Sequence, residues 1–521
     1  MERLLGRTSP RLASSPAWCI ISLLLALVTS PGCGRAPSVP PTTYEEAMAL
    51  VEEGERHLEA AETVPLAQES AELQQGIEAY EAALSYLERY EEPREWAFAM
   101  ASLGASYSML KTGDFVAHGR KAIECFEQAL LVYTKRADPE NWASTMQRLG
   151  KAYAMLPTAD RTANYGKAID CYEAALTVLT RDDDPEEWAT AMQGLGTVYS
   201  LLATGDPAEN VRKAIACHEA ALTVFTRRDS PRDWANTTCE LGFAWAKRRD
   251  GDPAQNVAKA VELFESVALP SVRASCPREW AGAMYYLGWI HIEMPPAKDR
   301  ARAAECFRSA LETYTKDAYP QMWALAKVGL GKALFESQVV NREASHAEAR
   351  QCFDNALTVL TEESYPKDWA LSHVFLGIMD ARLSDTDSEE RAIAHFRKAL
   401  RFYTQEVEPA DFATASAALG RSLALRTLGD RQENLEEARR HLEAALCVRE
   451  AYPTTVHTAH AFLAYVLAEL EGATPADLDL ARVHLHEAAR GFESYADDPR
   501  FEDMREFLTQ IVERLNEELD E

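Results

Sequence analysis

The stretch Pro93-Arg94-Glu95-Trp96-Ala97-Phe98-Ala99-Met100-Ala101-Ser102-Leu103-Gly104 decides the fold, because its proline, tryptophan and glycine return at fixed distances along the chain. Trp96, Trp142, Trp188, Trp234, Trp280, Trp323, Trp369 and Phe412 follow one another at steps of 46, 46, 46, 46, 43, 46 and 43 residues. Three positions before each stands a proline, from Pro93 to Pro409, and eight positions after each a glycine, from Gly104 to Gly420. A period of this length replaces a count of globular domains by a stack of about ten units in one elongated repeat domain.

Within the unit Pro93 to Asp138, the first helix is expected from about Trp96. It places Met100, Leu103, Tyr107 and Leu110 at spacings of 3, 4 and 3, one apolar stripe of an α-helix. Lys111-Thr112-Gly113-Asp114 is a turn cluster that ends it. A second helix then carries Ile123, Phe126, Leu130 and Tyr133, again at 3, 4 and 3, with Ala122 and Ala129 on the same side. Gly104 lets the second helix approach the first closely. Helix formers dominate and no long alternating Val/Ile/Thr run occurs, so the fold class is all-α.

Leu103-Gly104-x-x-Tyr107, with its copies at Leu149-Gly150-Tyr153 and Leu195-Gly196-Tyr199, resembles the first helix of a tetratricopeptide repeat. Ala122-x3-Phe126-x2-Ala129, with Ala168, Tyr172, Ala175 and Ala303, Phe307, Ala310, resembles the second. The period departs from the 34 residues of that family. The extra residues lie between the glycine and the second-helix alanine, and before the next proline. This long form looks like the arrays that precede CHAT-type caspase-like peptidase domains in bacterial proteins, although no such domain fits in this chain. The resemblance implies a right-handed α-solenoid of about ten antiparallel hairpins over residues 43–496. A capping helix is expected over 497–521, where Phe501, Met504, Phe507, Leu508, Ile511 and Leu515 share a face.

Residues 1–32 read as a signal peptide: Arg3, Arg7 and Arg11 precede the apolar run from Ala17 to Val28, which is too short to span a bilayer. Gly32-Cys33 resembles a bacterial lipobox, with Ser30 and Pro31 departing from its usual residues, which implies lipidation of Cys33. Simple secretion after cleavage at Gly32 and a retained anchor are the other outcomes. Residues 33–42, rich in proline, would then be a tether from the membrane to the solenoid. The net charge is −28, and because the first 32 residues hold three arginines against one glutamate, the remainder carries −30. Such a body repels nucleic acid and anionic lipid, and it permits a basic partner.

Signals for chemistry are sparse. Five cysteines, Cys125, Cys171, Cys217, Cys306 and Cys352, occupy one register position and read as small packing residues, so no disulfide framework is assigned. His457 and His460, and His484 and Glu487, are three apart on helices, with no HExxH or CxxC beside them. Asp250-Gly251-Asp252 lacks the rest of a calcium loop and reads as a turn. No cofactor, metal or catalytic constellation is expected, and the chain reads as no enzyme.

By the resemblance, the first helices line the concave face and ligands meet the positions flanking Leu-Gly. One position after the glycine the residues are Ala105, Lys151, Thr197, Phe243, Trp289, Lys332, Ile378 and Arg421. Three before it they are Ala101, Gln147, Gln193, Cys239, Tyr285, Val328, Val374 and Ala417. The candidate partner-binding residues are therefore Lys151, Gln193, Phe243, Tyr285, Trp289, Lys332 and Arg421, with rotation of these positions into the core as the competing reading. The expected function is an exported scaffold, membrane-anchored through its lipid, for a protein or peptide partner. The alternative is the sensor subunit of a split effector system whose enzyme is another chain.

Overall fold

The computed structural model describes residues 41–63, 66–110, 114–156, 161–202, 204–295, 299–336, 342–383, 385–449, 451–493 and 506–512. The expected signal peptide and Cys33 lie outside these residues, as does all but the end of the tether.

Among the described residues, ten helical hairpins follow one another. The first pairs α1 (Tyr44–Thr63) with α2 (Leu66–Leu84), the second α3 (Pro93–Met109) with α4 (Phe115–Ala129), and the third α5 (Pro139–Met155) with α6 (Arg161–Ala175). The fourth and fifth are α7 (Pro185–Leu201) with α8 (Pro207–Ala221) and α9 (Pro231–Lys247) with α10 (Pro253–Val267). A short helix, α11 (Pro270–Ser275), leads into the sixth, α12 (Pro277–Glu293) with α13 (Arg300–Thr313). The seventh and eighth are α14 (Pro320–Glu336) with α15 (Arg342–Ala356) and α16 (Pro366–Asp380) with α17 (Thr386–Ala399). The last two are α18 (Pro409–Leu425) with α19 (Arg431–Leu446) and α20 (Pro453–Glu469) with α21 (Pro475–Glu493). Each hairpin helix packs on the next hairpin helix in sequence, and first helices of neighbouring hairpins also touch along most of the stack, whereas second helices do not to a comparable extent. The first helices therefore form the inner side of the curve.

From the second hairpin onward each first helix begins on its repeat proline, three residues earlier than the tryptophan suggested. Proline fits there because the first-turn N–H it lacks would have no intrahelical partner. Second helices start behind an aspartate: Asp114, Asp252 and Asp430 accept a backbone N–H at 2.9 Å in the first turn. Before two of these, Gly251 and Gly429 take φ of 82°, which favours glycine. Asp250-Gly251-Asp252 is thus a helix-connecting turn, closed by Asn256 donating to the carbonyls of Arg248 and Asp250 at 3.2 and 2.9 Å. The second helix ends sooner than the apolar spacing suggested. α4 stops at Ala129, and Tyr133 reaches the core from the turns that follow, its hydroxyl 3.4 Å from the carbonyl of Arg94.

The stack is held by a wedge. The second-helix aromatic enters between the glycine of its own first helix and the residue two before the glycine of the next. Phe264 lies against Gly242 and meets Tyr286 with ring centroids 5.3 Å apart; Phe353 lies against Gly331 and stacks on Phe375 at 5.2 Å. Phe307 is pinched by Gly288 and Gly329, where an added Cβ would collide with its ring. The tryptophan ladder is buried or half-buried at the hairpin junctions, and basic residues from the preceding connectors cover several of its rings, as Arg273 covers Trp280 at 4.6 Å. At the C-terminal end, the helical stretch 506–512 buries Leu508 and Ile511 and stacks Phe507 on Phe462 at 4.5 Å; the remainder of the expected cap lies outside the described residues.

Candidate binding channel

The flanks of Leu-Gly divide by position. Three before the glycine, Ala101, Gln147, Cys239, Val328, Val374 and Ala417 are buried, and only Gln193 and Tyr285 keep partial exposure. One after the glycine, Lys151 is exposed, Phe243, Trp289, Lys332 and Arg421 are half-buried, and Ala105 is enclosed. Four of the seven expected residues come together. Phe243 meets Tyr286 at 5.6 Å, Tyr286 meets Tyr285 at 5.4 Å, and Tyr285 meets Trp289 at 6.4 Å. The Lys332 ammonium lies 5.5 Å from the Trp289 ring centroid, which leaves Lys151, Gln193 and Arg421 on other hairpins. Arg421 packs over Phe462 at 5.5 Å.

Curvature brings groups from later hairpins against this aromatic wall. Lys247, at the end of α9, feels the charge of Lys367, at the start of α16, and Tyr285 of α12 feels Asp368. Asp411 of α18 interacts with Lys332 and Glu293, and Tyr452, just before α20, interacts with Asp411 and Glu293. The C-terminal ends of α9, α12 and α14 therefore lie within electrostatic reach of the N-terminal ends of α16, α18 and α20 across the inner channel of the coil.

The two signs of charge are treated differently there. The Lys247 ammonium donates to the carbonyl of Ser200, in the last turn of α7, at 2.7 Å. Lys332 is paired with Glu293, and Lys367 with Glu408 at 2.5 Å. Glu240, Asp368 and Asp411 are half-buried, and their carboxylates enter no side-chain hydrogen bond or ion pair among the described residues. Burial raises all three carboxyls above their ordinary range, Glu240 to about 7 despite the pull of Lys247. Sequence register had not singled out these acids, because their meeting depends on curvature summed over several hairpins.

Two histidine pairs were likewise not foreseen as pairs. His373 and His395 approach with Nδ1 atoms 2.7 Å apart, and His460 and His484 do the same. Beside the first pair, fully buried Asp380 receives Arg350 at 2.6 Å and lies 3.7 Å from Nε2 of His395. Burial, reinforced by neighbouring positive charge, lowers His373 to about 3; burial lowers His395 to about 4 against the opposing pull of Asp380. Among the described residues, no group of three or more His, Cys, Asp or Glu is arranged to hold a metal ion. The eight described cysteines are free, seven of them buried, and no described helix is long and apolar enough to cross a membrane. Away from the channel, a cavity of about 380 Å³ is lined by Met284, Cys306, Glu265, Arg302 and Glu305, and Arg302 and Glu265 pair with each other at 2.9 Å.

No family model matches the chain, and no curated protein matches it. Among solved structures it is similar to a monomeric mutant of IFIT1 with m7Gppp-AAAA, at 14% identity and a TM-score of 0.45, covering 91% of this chain and 95% of that one. It is similar to yeast Tom70 at 14% identity and a TM-score of 0.32, over 91% and 96% of the two chains. To the TPR domain of P58(IPK) the values are 14% and 0.25, over 85% and 99%. Its own helices, paired as hairpins and wedged through the Gly, Ala and aromatic positions of the tetratricopeptide pattern, make the chain an all-α, tetratricopeptide-like solenoid.

Proposed function

We propose that the chain is a non-catalytic binding scaffold whose inner channel receives a segment of a protein partner. The observation that carries this reading is the channel itself, with a contiguous wall of Phe243, Tyr286, Tyr285 and Trp289 and, nearby, half-buried carboxylates that join no ion pair among the described residues. Large aromatic side chains such as these half-buried rings are among the residue types that carry most binding energy at protein interfaces. Gly32-Cys33 after the apolar run supports a lipid-anchored, exported protein, with the solenoid held off the membrane by the proline-rich segment.

Two measurements test these claims. Pull-down from membranes with the wild type and with a Phe243→Ala/Tyr285→Ala/Trp289→Ala variant is expected to lose partners in the variant; an unchanged set would remove the channel from the binding surface. Mass spectrometry of the mature N-terminus is expected to find acylated Cys33, whereas an intact Met1 would overturn export.

A further inference from the structure

Resting on the scaffold reading above, we infer that the channel takes a cationic peptide segment, whose lysine or arginine side chains pair with Asp368, Asp411 and Glu240 over the aromatic wall. The channel groups described above comprise five carboxylates, Glu240, Glu293, Asp368, Glu408 and Asp411, against three ammoniums, Lys247, Lys332 and Lys367. The ammoniums are committed within the protein: Lys332 to Glu293, Lys367 to Glu408, and Lys247 to the carbonyl of Ser200. Among the described residues, Asp368, Asp411 and Glu240 have no directly paired cation, although each is half-buried. Lys247 acts on Glu240, and Lys367 and Lys332 on the two aspartates, only at longer range. A carboxylate drawn partly out of water with no directly paired cation destabilises the free protein, and a guanidinium or ammonium entering beside it relieves that penalty.

The geometry selects the shape of the cation. Asp368 and Asp411 sit in the first turns of α16 and α18, at equivalent positions two residues after the repeat proline. Each is followed immediately by the ring that opens its helix, Trp369 or Phe412. Tyr285 and Trp289 of the wall pack against the same apolar cluster as Trp369 and Phe412, and Tyr285 is close enough to Asp368 to feel its charge. A side chain with a long apolar stem and a cationic head can lay the stem along these rings and place the head at the carboxylate. An acidic segment would meet five carboxylates against three ammoniums that are already engaged within the protein. The −30 charge of the chain after residue 32 steers the same class of partner toward the molecule.

The test uses the full chain and three labelled peptides of one length and one leucine framework, carrying arginine, glutamate or glutamine at the same positions, with binding read by fluorescence anisotropy. The arginine peptide is expected to bind tightest. Asp368→Asn/Asp411→Asn is expected to weaken that peptide about tenfold or more and to leave the glutamine peptide unchanged. Circular dichroism confirms that the variant is folded. If all three peptides bind equally and all are weakened by Trp289→Ala, the cationic assignment is overturned and the channel remains a peptide site. If wild type binds none of them, this assignment and the channel reading both fall.

Discussion

Gly329 and His218 show how much one side chain decides at the wedge. A methyl at Gly329 would overlap the ring of Phe307, which is already closed on its other side by Gly288. Gly329→Ala is expected to cost about 1–3 kcal/mol in urea denaturation, as overpacking does. At Gly166, where nothing lies within 4 Å, the same change should gain a few tenths to about 1 kcal/mol from helix propensity alone. Equal effects at the two sites would contradict the wedge. In the fourth hairpin the wedge position holds His218, fully buried, with neither ring nitrogen hydrogen-bonded among the described residues. Register sets Glu240 of the next hairpin opposite it, where Tyr286 and Phe375 stand elsewhere in the stack.

The two residues have opposite linkage to pH. Burial lowers His218 to about 4, so its contribution is present above its ordinary value of 6.5 and is lost as pH falls toward 4. Glu240 is raised from 4.5 to about 7, so the folded state binds the extra proton between those values and stability falls as pH rises through that window. His218→Phe should therefore raise the melting temperature and flatten the acid side of the profile. Glu240→Gln should remove the loss toward neutral pH, worth at most about 3 kcal/mol and less because the group keeps solvent contact. Melting curves between pH 4 and 8 read both, and parallel profiles for wild type and Glu240→Gln would rule out the assigned shift.

At the scale of helices, a polar rung repeats across the early junctions. The hydroxyls of Tyr107, Tyr153 and Tyr199 donate to Glu81, Glu127 and Glu173 of the preceding hairpin at 2.6, 2.6 and 3.0 Å. Lys121, Lys167 and Lys213 of the same hairpins lie over the tyrosine rings at 4.8, 5.0 and 5.1 Å. Tyr153→Phe keeps the ring and removes the bond, so a loss of about 1–2 kcal/mol is expected, and no loss would mean the rung is ornamental. The existence of these hairpins was legible in the sequence because glycine, alanine and aromatic positions recur in a register that only close helix pairing requires. Their ends were less so. The helix start at Pro93 is governed by backbone donors rather than side-chain spacing, and Tyr133 keeps the apolar spacing of a helix while standing in a turn. The channel was partly legible: the position after the glycine named Phe243, Trp289 and Lys332, and Tyr285 came from the position before it. Asp368 and Asp411 stand where first-turn acids commonly complement the helix dipole, so nothing in the sequence sets them apart, and only superhelical curvature brings them within reach of Tyr285 and Glu293.

Across the whole molecule, the buried thiols form a built-in set of reporters. Cys125, Cys171, Cys217, Cys306 and Cys352 sit at the same register in five hairpins, and burial pushes their thiols up to about 11 or 12. Exposed Cys447 should react first among the described thiols with an alkylating reagent at neutral pH. The buried ones should follow at graded rates, because each hairpin is stabilised mainly by its two neighbours. Peptide mapping of labelled protein measures this order, and simultaneous reaction of all seven would show a single cooperative unit instead.

The contacts between first helices, with no comparable contacts between second helices, have a mechanical consequence. A coil joined along its inner rail and loosely connected along its outer one bends like a spring. Small rotations at successive junctions would add along the stack, so the spacing between distant hairpins would change more than the packing at any one wedge. A segment held between distant hairpins would then be gripped through the curvature of the whole coil rather than through any single junction.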